Sequence, residues 1–273
     1  MDDGTVDRPR ANLKPAGLTA PRRPTVAVRF GRGRTGGSTM LDLLVQLARH
    51  CGRDVIVGDG DRRNPTLAGL YPPACAGGAR QPASDEVADV KDWISGLLGD
   101  VVRQGQSAVI DLGGGDRVMQ EYGRDLGLVE FCEEEGINPL GLYFCGPDPD
   151  DFEHVLAIWR AGYFRPRASV LVLNEHLVPQ GRTTIGAFDA FDAIVERPEI
   201  GELEAAGVAA MFLPRLPCLT HIRERSLGLI AAAIRVPAPD GRPLDPAREF
   251  MVRHWIVKVL GEFDRIGLLG ILP

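Results

Sequence analysis

The 273-residue sequence has very few lysines, since only Lys14, Lys91 and Lys258 stand among its 31 basic residues and the others are arginines. This scarcity bears on any phosphate site, where a lysine is a common point charge. The formal net charge is −6. A protein that coats nucleic acid through its overall charge is therefore excluded, and only a local basic surface could serve that purpose.

Cysteine is also sparse and unpatterned. The five cysteines form no CxxC pair and have no metal-ligand spacing, which argues against a disulfide framework and a zinc site. No stretch approaches about 18 unbroken apolar residues, and no apolar segment follows the charges at the N-terminus, so neither a membrane span nor a secretion signal is predicted. These absences together predict a protein of the reducing cytoplasm.

Apolar runs and helical patterns alternate along most of the chain. Residues 1–24 hold four prolines and little periodic hydrophobicity, which predicts a disordered or loosely docked arm before a single domain over 25–273. The six apolar runs are TVAVRF, DVIVGD, SAVID, PLGLYFC, ASVLVLN and VAAMFLP. Helices are predicted over residues 41–50, 85–104, 117–135, 148–162, 183–195, 220–235 and 245–260. Because parallel strands need such crossovers, we predict an α/β fold, a mostly parallel twisted sheet with helices on both faces.

The first predicted strand leads into a glycine-rich loop, GRGRTGGST, over residues 31–39. Backbone amides of such a loop and of the following helix converge on an anion. The glycines at 31, 33 and 36 satisfy the dinucleotide spacing G-x-G-x-x-G, with Asp59 placed as the ribose acid. Gly31, Gly36 and Ser38 instead satisfy a P-loop spacing, with Gly37 at the position of the lysine.

Three further features favour the P-loop. The hydroxyls of Ser38 and Thr39 suit Mg²⁺ and a phosphate. Asp61 follows the second strand, where it would face a γ-phosphate or its attacking water. Asp111 ends an apolar strand before three glycines, the arrangement of an acid that holds Mg²⁺ through water. The dinucleotide alternative, an NAD(P)-dependent oxidoreductase, leaves Asp61 and Asp111 unexplained.

In the order of these motifs the chain resembles the MinD/ParA-type P-loop ATPases of the SIMIBI class, which have a deviant Walker A loop. The resemblance covers about residues 25–227 and comprises RGRTGGST, DGDRRNPTL, VIDLGGG and VLVLN. The family loop reads K-G-G-x-G-K-[ST]-[ST]. Here Arg32 replaces the first lysine, Arg34 the second glycine, and Gly37 the lysine that bridges the β- and γ-phosphates.

The resemblance implies ATP or ADP as ligand, Mg²⁺ as cofactor, and a role for each motif. The residues expected to bind the nucleotide are Gly33, Arg34, Thr35, Gly36, Gly37, Ser38, Thr39, Asn174 and Pro214, the last two at the adenine. The residues expected at the metal are Ser38, Asp59 and Asp111. Asp61 is expected to position or activate water, and Arg32 to reach into the site of a partner protomer.

Without the loop lysine, phosphate binding should be weak. Arg32 or Arg34 could restore the charge, because a guanidinium binds phosphate oxygens in a bidentate manner. A lysine introduced at position 37 should then tighten ATP binding.

The function that the resemblance implies is an ATP-dependent dimerisation switch with weak or no hydrolysis. Such a switch would serve plasmid partition, mobilisation or another intracellular positioning task through an unidentified partner protein. A pseudo-ATPase platform that binds no nucleotide is the alternative that is not an enzyme.

Two surfaces have competing interpretations. Arg215, Arg223 and Arg225 could hold non-specific DNA, although a solvated helical face is the commoner explanation. The C-terminal segment FMVRHWIVKVLGEF could make a peripheral membrane contact. We favour a packed terminal helix there.

Overall fold

One six-stranded sheet forms the centre of the protein in the computed structural model, which describes residues 13, 22–113, 116–179 and 186–273. The strands are β1 (Thr25–Phe30), β2 (Val55–Asp59), β3 (Ser107–Asp111), β4 (Asn138–Cys145), β5 (Ala168–Asn174) and β6 (Val208–Leu213). Their order in the sheet is β2-β3-β1-β4-β5-β6, and every neighbouring pair is parallel. The predicted α/β fold is thereby confirmed, because each parallel pair is reached through a crossover.

Each crossover between strands contains a helix close to a predicted one. Within the described ranges they are α1 (Gly37–His50), α2 (Thr66–Leu70), α3 (Val87–Gln104), α4 (Asp116–Leu126), α5 (Leu128–Glu134), α6 (Pro149–Ala161), α7 (Gly186–Val195), α8 (Pro198–Ala205), α9 (Leu219–Glu224), α10 (Leu229–Ala233) and α11 (Pro246–Arg265). The short helices α2 and α8 were not predicted, because five and eight residues give too little hydrophobic periodicity to recognise.

Two of the predicted helices are each divided into two. The helix expected over 117–135 is interrupted at Gly127, whose φ is +60°, and the helix expected over 220–235 is interrupted near Ser226, whose φ is +52°. A left-handed residue ends the run of helical hydrogen bonds. The helix expected over 183–195 begins at Gly186 in the described residues, and positions 183–185 lie outside them, as do Gly114 and Gly115.

The two faces of the sheet bury separate cores. Ala27 of β1 belongs to the core that includes α1, α10 and α11, whereas Val26 and Val28 belong to the core that includes α3 and α6. Successive side chains of a strand point to opposite faces. Arg29 therefore shares the face of Ala27 and is directed toward α1.

The terminal segments pack against the α1 side of the sheet. Helix α11 buries Val252, Trp255 and Phe263, which agrees with the packed helix that we favoured. No described helix is long and apolar enough to cross a membrane. Of the predicted arm, Leu13 is buried in the same core, and residues 1–12 and 14–21 lie outside the described part of the chain.

Candidate functional site

The loop after β1 lies at the carboxyl edge of the sheet and leads directly into α1. Gly31 and Gly36 have φ angles of +128° and +93°, a region that L side chains rarely adopt. The amides of Thr39 and Met40 donate to the carbonyl oxygen of Gly36 at 3.1 and 3.3 Å, which starts the helix. The first amides of a helix have no carbonyl partner within it, so this edge of the sheet presents donors to an anion.

Ser38 and Asp111 meet at this edge, as the sequence predicts. The Ser38 Oγ donates to the Asp111 Oδ2 at 2.5 Å, and the Asp111 Oδ1 accepts from the Gly113 amide at 3.0 Å. Asp111 is only 3% exposed. β3 pairs with β1, and this pairing brings the carboxylate beside the first turn of α1.

Arg29 is a residue of the site that sequence reasoning missed. Its Nη1 donates to the carbonyl oxygen of Gly113 at 2.6 Å, and its Nη2 donates to the carbonyl oxygen of Arg32 at 2.6 Å and to the Thr35 Oγ1 at 3.1 Å. The Nη1 lies 3.8 Å from the Asp111 Oδ1. The one available signal was a single arginine in the apolar run TVAVRF, since a charge in a buried strand usually has a partner.

Position 37 has no room for a side chain while Arg29 occupies its observed place. A Cβ atom at Gly37 would lie 2.2 Å from the Arg29 Nε and 2.5 Å from its Cγ. A lysine at 37 would therefore have to displace Arg29, so we no longer expect the single substitution to tighten ATP binding.

The two loop arginines expected to replace the lysine are both on the surface. Arg32 pairs with Asp151 of α6 at 3.3 Å, and its side chain is 47% exposed. Arg34 is exposed and has a φ of +70°. Among the described residues the cation buried at the loop is Arg29, and the assignment of the phosphate charge to Arg32 or Arg34 stays a prediction.

Asp59, expected at the metal, holds the loop between β2 and α2 through its two carboxylate oxygens, and its role at a metal stays a prediction. Its Oδ2 accepts from the Ala68 amide at 2.8 Å, and its Oδ1 accepts from the Asp61 amide at 3.2 Å. Asp59 pairs in register with Asp111 of β3, so the two carboxylates are close. Both oxygens of Asp59 thus serve backbone amides beside the Ser38 and Asp111 pair.

The ionisation of Asp59 predicts a pH dependence of stability. Burial, with a smaller effect of the nearby Asp111 carboxylate, raises the pKa of Asp59 from 3.8 to about 6. Its contribution to stability is therefore complete below pH 3.8 and is lost as the pH rises through about 6. Between about pH 4 and pH 7, wild type should lose about 2–3 kcal/mol more free energy of unfolding than Asp59→Asn.

Urea denaturation of both proteins at a series of pH values measures this difference. Asp85→Asn, at an exposed aspartate, is the control and should keep the wild-type profile. Parallel profiles for wild type and Asp59→Asn would contradict the prediction.

Asp61 lies where the DGDRRNPTL segment meets the VIDLGGG segment. Its Oδ1 accepts from the Asn64 amide at 2.9 Å, and a Cβ atom at Gly113 would lie 2.6 Å from its Oδ2. It lines an open cavity of about 380 Å³ together with Gly33 and Arg62. This placement suits a residue that faces a phosphate or its attacking water at the loop.

The residues expected at the base also come together, but they enclose little space. The Asn174 Nδ2 donates to the carbonyl oxygen of Thr35 at 2.8 Å, and the Trp255 Nε1 donates to the carbonyl oxygen of Pro214 at 2.6 Å. The cavity between these residues and Thr39 is about 40 Å³, far below the roughly 300 Å³ of small ligand pockets. The base side of the site is therefore closed in this conformation.

The arginines considered for DNA mostly make contacts within the protein. The Arg223 Nη2 donates to the Thr39 Oγ1 at 2.9 Å, so it contacts the loop helix. Arg225 pairs with Asp240 at 2.9 Å, and its side chain is 18% exposed. Arg215 is half-buried. These contacts favour structural roles for Arg223 and Arg225.

The comparisons with known proteins concern the fold. No family model matches the chain, and no curated protein matches it. Among solved structures, it is similar to the signal recognition particle receptor FtsY from Elizabethkingia anophelis, with 13% identity, a TM-score of 0.44, and coverage of 89% of this chain and 69% of that one.

Two further structures show similarity of the same order. Chloroplast FtsY from Physcomitrella patens has 11% identity and a TM-score of 0.43, over 87% of this chain and 66% of that one. Signal recognition particle 54 kDa protein from Aeropyrum pernix, solved in complex with GDP, has 13% identity and a TM-score of 0.41, over 91% of this chain and 53% of that one.

Proposed function

We propose that this chain is a P-loop protein that binds a nucleoside triphosphate with Mg²⁺ and changes state with the bound nucleotide. The observation that carries the proposal is the contact of 2.5 Å between Ser38 at the start of α1 and Asp111 at the end of β3. A hydroxyl and a carboxylate in this relation, beside a glycine loop, are the protein ligands of a phosphate-bound Mg²⁺.

The residues of the site fit such a ligand in their chemistry. Among the described residues, no three His, Cys, Asp or Glu side chains gather into a metal site, so a cation here would depend on phosphate and water for most of its ligands. Ser38 and Asp111 would hold the cation, the amides of residues 33–39 would hold phosphate oxygens, and Asp61 would orient water. The buried Nε of Arg29 has no hydrogen-bond partner in the described part of the chain, which leaves one donor for an added acceptor.

The contacts around the loop would couple its state to neighbouring segments. Arg29 joins the loop to Gly113 of the VIDLGGG segment, and Asp61 packs against the same glycine. Asp59, at the start of the DGDRRNPTL segment, contacts the Ala68 amide of α2. Binding or loss of a phosphate at the loop would therefore alter the contacts at Gly113 and at α2.

The finer part of the proposal follows the MinD/ParA resemblance. We propose that the nucleotide-bound chain forms a homodimer to which Arg32, half exposed at the edge of the loop, contributes in trans. That state would be passed to a partner protein in plasmid partition, mobilisation or another positioning task. The base is adenine or guanine, and titration of both decides between them.

Isothermal titration calorimetry with ATP, GTP, ADP and NAD, with Mg²⁺ and with EDTA, tests the proposal. A triphosphate should bind more tightly with Mg²⁺ than with EDTA, and NAD should not bind. Ser38→Ala should abolish the Mg²⁺-dependent gain, about tenfold for a lost charge-assisted ligand, and leave binding in EDTA unchanged.

Ser95→Ala is the matched control, because this serine lies exposed on α3 and should leave both affinities unchanged. Binding of NAD alone would overturn the proposal in favour of an oxidoreductase.

A platform without nucleotide is the second candidate, and the closed site favours it. Arg29 fills the inside of the loop, Asn174 is bonded to Thr35, and the base cavity measures about 40 Å³. If none of the four ligands binds, this candidate is the function that the site supports.

A further inference from the structure

We infer that Arg29 supplies, from β1 beneath the loop, the phosphate-binding charge of the lysine that is absent from position 37, and that Gly37 provides the space for it. The inference rests on the proposed function. It explains residues 29 and 37 together, because the arginine at position 29 requires that position 37 carry no side chain.

The first support is steric. A Cβ atom at Gly37 would meet the Arg29 Nε at 2.2 Å, Cγ at 2.5 Å and Cδ at 2.8 Å. The arginine stem therefore passes through the space from which a lysine at 37 would extend. A lysine at 37 and the observed Arg29 exclude each other, so the two charges are alternatives at one place.

The second support is electrostatic. Arg29 is 3% exposed, and among described residues its ion pair is with Asp111 at 3.8 Å. That carboxylate also accepts from Ser38 and Gly113. The remaining partners of the guanidinium are carbonyl and hydroxyl oxygens. A buried guanidinium stays charged, and incomplete compensation of that charge is costly.

The third support is an unpaired donor at the anion-binding end of α1. The Arg29 Nε is buried and has no hydrogen-bond partner among the described residues, and an unsatisfied buried donor costs free energy. It lies at the start of a 14-residue helix, where the helix dipole and free amides favour negative charge. A polyphosphate, which offers several oxygens at once, is the class of ligand that would satisfy both the charge and the donor.

The test is calorimetric titration with Mg·ATP, Mg·GTP, inorganic tripolyphosphate and adenosine. Arg29→Met should weaken binding of the triphosphates and of tripolyphosphate by about tenfold or more. The affinity for adenosine should not change, because the guanidinium contacts phosphate rather than the base. Arg29→Lys, which keeps the charge, should bind with intermediate affinity.

A second part of the test places a lysine at position 37 of the loop, with and without Arg29. Gly37→Lys should weaken triphosphate binding because it displaces Arg29. The double variant Arg29→Met/Gly37→Lys should recover binding to within about threefold of wild type. Gly96→Lys is the matched control, since Gly96 lies on α3 with open space at its Cβ position, and it should leave every affinity unchanged.

A third part of the test measures ligand binding on the wild-type protein and needs the conservative variant Arg29→Lys only to assign one resonance. The Nε–H resonance of Arg29, assigned by its loss from the spectrum of Arg29→Lys, should shift when tripolyphosphate is added. An unshifted resonance at saturating tripolyphosphate would overturn the inference.

The outcomes separate the inference from the proposed function. If wild type binds a triphosphate and Arg29→Met binds it equally well or more tightly, Arg29 is a structural plug and only the inference fails. If wild type binds neither the triphosphates nor tripolyphosphate, the proposed function fails and the inference fails with it.

Discussion

Replacing Gly36 by alanine should lower the free energy of unfolding by about 3 kcal/mol, from backbone strain and overpacking together. The φ of Gly36 is +93°, and a Cβ atom there would lie 2.2 Å from the Asn174 Nδ2. Asn174 would have to move away from the carbonyl oxygen of Thr35, which it now contacts at 2.8 Å. Urea denaturation followed by circular dichroism measures the change.

Gly33→Ala is the control within the same loop. A Cβ atom at Gly33 would meet no atom within 4 Å, and its φ is not in the left-handed region. We expect a change within about 0.5 kcal/mol, as at most surface positions. Equal losses from the two alanines would show that the loop does not hold the geometry described above.

Replacing Asp111 by asparagine should cost about 3–5 kcal/mol of unfolding free energy, the range for removing one partner of a buried ion pair. Asp111 carries the negative charge that lies 3.8 Å from the Arg29 guanidinium. Asparagine keeps the shape but leaves that cation buried among neutral acceptors. Asp125→Asn is the control, since its pair with Lys91 is exposed and should contribute no more than about 1 kcal/mol.

A double-mutant cycle identifies Arg29 as the cause. Asp111→Asn should cost much less in an Arg29→Met background, because no buried charge is then left unpaired, and the coupling should be about 1–3 kcal/mol. Additive losses would mean that Asp111 stabilises the protein through Ser38 and Gly113 alone, without Arg29. Chemical denaturation of the four proteins completes the cycle.

The same pair also links stability to ligand binding. If a bound polyphosphate interacts with the Arg29 guanidinium, the ligand should raise the free energy of unfolding of Asp111→Asn more than that of wild type. In the variant the ligand's negative charge replaces that of the missing carboxylate. This expectation connects the unfolding measurements to the calorimetry proposed above.

Much of the candidate site could be predicted from chain order. Ser38 follows a glycine loop after an apolar run, and Asp111 ends another such run. Carboxyl ends of parallel strands lie at one edge of a sheet, so these two residues were expected to meet, and they do at 2.5 Å. The MinD/ParA resemblance and the partners that it implies remain predictions.

The helix breaks and the contacts of Asp59 depend on backbone conformation and hydrogen bonding, which the order of residues does not show. The helices over 117–135 and 220–235 were predicted as continuous, because a hydrophobic stripe persists across Gly127 and Ser226 even though their backbones are left-handed. The resemblance implies that Asp59 lies at the metal, and chain order could not show that its oxygens accept from the amides of Ala68 and Asp61. Those hydrogen bonds depend on the conformation of the turn after β2.

The alternation of apolar runs with helical stripes was sufficient to determine the parallel sheet, and the glycine spacing was sufficient to place a glycine-rich loop at the end of β1. Only the tertiary structure showed that the cation buried beneath that loop is Arg29. The period of a strand shows which face Arg29 occupies, but it is the packing of α1 on that face that would put a Cβ atom at position 37 only 2.2 Å from the Arg29 Nε. Steric exclusion between residues on different elements is a property of their packing, and no spacing along the chain encodes it.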